Sequence, residues 1–107
     1  MSRAVVISIF IVDITSVVLT LLGFLTAVSG LCLVKPEAVE RATLGVFSSY
    51  AVCSRLHLGW VAIATIVVTI IHGVAGFYLW LSRIGVEASW LWLLGLLFII
   101  WILYIYL

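Results

Sequence analysis

Charge is what this sequence has least of. Its 107 residues include five Lys or Arg and four Asp or Glu, 8% in all, while 67% are hydrophobic. A typical globular chain is about one-quarter charged and roughly half apolar, so too few polar residues are present to cover a water-exposed surface. A soluble globular domain is excluded, and a chain embedded in lipid is expected. The formal charge of +1 offers no electrostatic attraction for nucleic acid. No low-complexity run marks a disordered tail. No cleavage-site pattern sets off a short signal core at the N-terminus, so the first apolar stretch reads as a retained helix.

The rest is apolar sequence cut by brief polar breaks. One crossing of a ~30 Å hydrocarbon core takes about 20 residues, so three crossings fit comfortably. The first is expected over residues 14–34, after Asp13, the one charge inside the stretch from Ala4 to Val34. Lys35-Pro36-Glu37, with Glu40 and Arg41, holds the only proline and the densest charge, which marks a helix stop and a wet loop. Residues 42–54, with adjacent Ser48 and Ser49, are too few to cross and either lie at the interface or extend the next helix backwards. The second span, 56–81, has no Asp, Glu, Lys or Arg and is bounded by Arg55 and Arg83. Its Ile, Val and Thr content would suggest strand in water, but in lipid the backbone must satisfy itself internally, which means helix. Gly85 turns the chain into a third span, 88–107, with Trp90, Trp92, Trp101, Tyr104 and Tyr106 toward its ends in the pattern of an aromatic belt.

The expected fold is therefore all-α: a single transmembrane domain over residues 1–107, multi-pass in the cell membrane, with a polar loop at 35–55. Lys35, Arg41 and Arg55 on one side outnumber Arg3 and Arg83 on the other by one, which leans weakly toward a cytoplasmic 35–55 loop. Cys32 and Cys53 flank that loop. With the loop on a reducing side, two free buried thiols are expected, and a disulfide would require an oxidising compartment.

Both histidines fall in the second span. Fifteen residues of helix separate His57 from His72 by about 22 Å along the axis and about 60° around it, so the two share one face at two depths. An ionisable side chain inside a span is a functional candidate because placing it there is costly. The bland alternative for His72 is an interhelical hydrogen bond to Ser or Thr, and for His57 a headgroup or water contact. Between and beyond them the same face carries small residues, Val61, Ala64, Thr65, Val68, Ala75 and Gly76, while Ile63, Ile66, Val67, Ile70 and Phe77 lie opposite. The first helix has a matching small stripe of Ser16, Thr20, Gly23, Ala27 and Gly30, which suits close helix packing or the wall of a flat cofactor.

Ser29-Gly30 closing one span, a polar loop, His57-Leu58-Gly59-Trp60 opening the next and Ile71-His72-Gly73 near its middle resemble the haem-b membrane cytochromes. The likeness is to the two-helix half of diheme cytochrome b, and it covers residues 14 to 81. It departs in its histidine spacing of fifteen, where those proteins usually have thirteen or fourteen, and in offering one half rather than two. The resemblance implies haem b ligated by His57 and His72, with Ser16, Gly23, Gly30 and Gly76 making room for the macrocycles and Arg55 pairing with propionates. Cys53 is not part of a C-x-x-C-H attachment motif, so the haem would not be covalently held. One chain supplies one imidazole per depth, and the only methionine, Met1, is terminal. A two-fold homodimer, or a pair with a related membrane subunit, would complete two bis-histidine sites in a four-helix bundle, two haems per dimer. The implied function is electron transfer across the bilayer, in exchange with a quinone or another redox subunit. Two other functions stay open: a cofactor-free accessory subunit of a larger membrane complex, and a small proton-coupled transporter using Asp13.

Overall fold

A computed structural model describes residues 2–47 and 49–107; Met1 and Ser48 lie outside the described residues. The described chain is mostly helical: α1 (Arg3–Val34), α2 (Pro36–Ala42), α3 (Tyr50–Leu58), α4 (Trp60–Arg83) and α5 (Trp90–Tyr106). Helix α1 begins eleven residues earlier than the expected span. The Ser2 hydroxyl accepts the Val5 N–H at 3.2 Å as an N-terminal cap, and Asp13 sits in the helix rather than at its start. The helix stops where Pro36 drives the residue before it out of the helical region, Lys35 having φ −132° and ψ 68°. Pro36 then opens α2, where its missing N–H costs nothing. Gly85, at φ 81°, makes the turn between α4 and α5 in a conformation that side chains rarely adopt.

The expected second helix is not continuous. It divides at Gly59, whose φ of −92° and ψ of −144° end α3, so His57 and His72 belong to different helices and the single-helix estimate of their spacing does not apply. A Cβ on Gly59 would collide with the Arg55 carbonyl oxygen. The segments Arg3–Val34 and Tyr50–Arg83, the latter with this break, are long and apolar enough to cross a membrane; α5 is apolar but shorter. Large side chains such as Phe10, Val17, Leu21 and Phe24 on α1 and Trp90, Trp101 and Tyr104 on α5 are exposed.

The chain divides into two compact units, Met1–Leu19 with Ile66–Leu107, and Thr20–Thr65. In the first, α5 approaches α4 at Gly95, where an added Cβ would lie 2.6 Å from Val74 Cγ2. Valine is branched at that point and cannot swing aside. Gly95→Ala is therefore expected to destabilise the protein by about 1–3 kcal/mol, and Val74→Ala to recover much of that loss in the double variant, as thermal melting in detergent would show. In the second unit a disulfide joins Cys32 to Cys53, with Cα atoms 6.0 Å apart. The expectation of two free thiols is corrected accordingly. Val39 is buried with the two cysteines, and Val28, Leu33 and Phe47 pack around them.

The buried line of α1 also differs from the expected stripe. Ser8, Thr15, Leu22 and Ser29 are buried, each seven residues from the next, whereas Ser16, Thr20, Gly23 and Ala27 are exposed. Positions 16, 23 and 30 each lie one residue past a buried one, about 100° around the helix. Two adjacent lines of α1 share the same seven-residue period, and residue size alone does not say which faces inward.

Candidate histidine sites

Each histidine is seated on α1 by its own unit. In the second unit, His57 Nδ1 lies 3.1 Å from the Thr26 carbonyl oxygen and 3.3 Å from Ser29 Oγ. A carbonyl oxygen can only accept, so Nδ1 carries the hydrogen and donates it. The Ser29 hydroxyl in turn donates to the Thr26 carbonyl at 3.1 Å. In the first unit, His72 Nδ1 lies 2.8 Å from Thr15 Oγ1. The Thr15 hydroxyl also lies 2.7 Å from Ile11 O and 3.2 Å from Val12 O. When its one hydrogen turns to the backbone, Thr15 accepts from His72 Nδ1; when it turns to the ring, Thr15 donates to Nδ1. With Nδ1 donating, His57 as neutral imidazole keeps its lone pair on Nε2, the atom a metal would take, and His72 does the same when Thr15 accepts.

The bland interhelical hydrogen bond is thus present at His72, and it is the same bond that would orient a metal ligand. Metal-bound histidines characteristically donate the other ring N–H to a carbonyl, carboxylate or water. Thr15, Thr26 and Ser29 are the partners of the histidines that size-based reasoning missed. A signal for them was available: Thr15 and Ser29 are fourteen residues apart, close to the fifteen between His72 and His57, as an antiparallel pairing would require.

The other expected site residues fall differently. Gly30 does not open space for a macrocycle; the His57 ring itself occupies that notch, and a Cβ there would lie 2.9 Å from Cε1, 3.3 Å from Nδ1 and 3.5 Å from Nε2. Because the obstacle is the end of a rotatable side chain, Gly30→Ala is expected to displace the imidazole without unfolding the chain. Histidine ring NMR signals would show this as a change at His57 with His72 unmoved. Gly76 does lie in an open groove of about 290 Å³, lined by His72, Gly73, Gly76, Phe77 and Trp80. A Cβ on either glycine would meet nothing within 4 Å. Ser16 and Gly23 are exposed on α1, and Arg55 is exposed on α3.

A bare zinc-type ion needs three or four protein ligands, and no group of three His, Cys, Asp or Glu that could hold a metal occurs among the described residues. Haem iron brings four nitrogens of its own and asks the protein only for axial ligands; open space lies beside the His72 ring, whereas the His57 ring is packed into the Gly30 notch. No family model, characterised protein or solved structure matches the chain.

Proposed function

We propose that the chain is a multi-pass protein of the cell membrane that binds haem b through His57 and His72 and carries electrons across the bilayer as a dimer. The observation that supports this most is that each imidazole meets α1 through Nδ1, His57 at the Thr26 carbonyl and His72 at the Thr15 hydroxyl, which leaves Nε2 out of these contacts. Haem held there would supply reversible one-electron chemistry at iron. The chain's residues would do the rest: Thr15 and the Thr26 carbonyl fix ring orientation, Gly73 and Gly76 leave space beside His72, and Phe77 and Trp80 keep that groove apolar. α5 is the third crossing, with its terminal aromatics at the interface. A second copy, or a related membrane subunit, would contribute the further histidine that each haem needs, and a quinone or another redox subunit would be the exchange partner for electrons.

Disulfides persist in oxidising compartments, so the 35–52 side faces the exoplasmic space. That side is the opposite of the weak cytoplasmic lean of the loop's charges. A reduced-minus-oxidised absorbance spectrum of the detergent-purified protein tests the proposal. Haem b bands are expected, and colourless protein that also takes up no added haem would refute it. One observation favours a second function: Asp13 lies ten residues inside α1 and is exposed, where an uncompensated carboxylate is costly. In that case Asp13→Asn would abolish proton-coupled transport in vesicles.

A further inference from the structure

We infer that the Cys32–Cys53 disulfide is a redox-operated clamp that holds His57 in its seat. Cys53 and His57 are one turn apart on α3, and on α1 Ser29 stands three residues before Cys32. The disulfide and the hydrogen bonds of His57 are therefore neighbouring rungs of one α1–α3 seam. Little else fastens α3. Cys53 is its only buried residue, while Tyr50, Val52 and Leu58 are largely exposed. The helix has nine residues and is bounded by the break at Gly59 on one side and the 43–49 connection on the other.

A dithiol opens the clamp by thiol–disulfide exchange. Both sulfurs are buried, so exchange begins with a transient local opening that exposes one of them. A thiolate then attacks it and forms a mixed disulfide, whose bond to the reductant the second thiolate of the reductant breaks, releasing the remaining cysteine. The dithiol becomes a disulfide, and Cys32 and Cys53 gain its two electrons and two protons as free thiols. Helix α3 then pivots at Gly59, and the His57 ring leaves Thr26, Ser29 and Gly30. His72 is held by a different residue, Thr15, and stays in place. The clamp belongs to the protein chain alone, so its test needs no haem.

The test uses the full chain, labelled with nitrogen-15 at its two histidines, in detergent micelles. Ring signals are assigned with His57→Gln and His72→Gln, and recorded before and after quantitative reduction by dithiothreitol and again after reoxidation. Reduction is expected to shift the His57 signals and make its Nδ1 proton exchange rapidly, leave His72 unchanged, and reverse on reoxidation. The C32S/C53S double variant is expected to show the shifted His57 signals without reductant. An unmoved His57 with both thiols free would overturn the inference. So would movement of both histidines together or loss of helical circular dichroism, because the disulfide would then support the whole fold rather than one seat.

Discussion

On the proposed haem ligation, replacing His72 with alanine is expected to remove about half of the bound haem and to leave the fold intact. The expectation rests on an asymmetry in the hydrogen bonds. Thr15 can direct its own hydroxyl hydrogen to the backbone of α1, so losing the imidazole leaves no buried donor unsatisfied. The stability loss should be about 1 kcal/mol, the usual net worth of such a bond. Haem binding at that depth, by contrast, would lose its ligand outright. Thr15→Val separates orientation from ligation: the ligand remains, but nothing fixes its ring, and affinity should fall by roughly 10- to 100-fold, as for other partners that orient a metal ligand. Haem titration followed at the Soret band, with melting curves of the same variants, checks both expectations. Equal haem content in H72A and the parent protein would remove His72 from the site.

Gly59→Ala should have the largest effect on the fold. The collision it creates is with the backbone oxygen of Arg55, which no side-chain rotation relieves. The backbone at residue 59 must therefore change. Alanine favours helix over glycine by about 1 kcal/mol, which pushes the chain toward one unbroken helix from Tyr50 to Arg83. Straightening turns α3 away from the direction in which Cys53 meets Cys32 and His57 meets Thr26. The disulfide resists that rotation, closing a loop worth about 3 kcal/mol in the chain-entropy account. The variant must lose either its helix break or its disulfide geometry. A lower melting temperature, by a destabilisation of about 2 kcal/mol or more, and a smaller fraction of oxidised protein on non-reducing gels are expected. A variant with parental melting and full oxidation would show that Gly59 is not needed for the break.

The contrast between Gly59 and the other glycines shows where sequence reasoning reaches its limit. Lys35-Pro36 announces the end of α1 because proline constrains its neighbour wherever it occurs, and Gly85 announces a turn because it comes after a long apolar run and a charge. Gly59 carries no such mark. Gly23, Gly73 and Gly76 sit in uninterrupted helices, and only the close approach of the Arg55 carbonyl distinguishes the one that breaks. The helical character of the chain is legible, because long uncharged runs in lipid leave the backbone no other partner. The inward line of α1 is not, since Thr15 and Ser29 stand beside Ser16 and Gly30 on an equally periodic line. The groups on α1 that meet the imidazoles, the Thr15 and Ser29 hydroxyls and the Thr26 carbonyl, are recognisable only when the rings are seen against them. The disulfide is hidden for a different reason: the loop's three basic residues lean toward a reducing compartment, while pairing depends on a Cα separation that sequence does not contain.

Haem ligation by the two histidines is tested most directly by titrating haem into the purified parent chain and reading the state of the iron by absorbance and low-temperature electron paramagnetic resonance. Two haems per dimer are expected, both low-spin with bis-histidine signatures, with loss of one such signal in each single histidine variant. Haem that binds equally well to the His57→Ala/His72→Ala protein, or no binding by the parent chain, would contradict it.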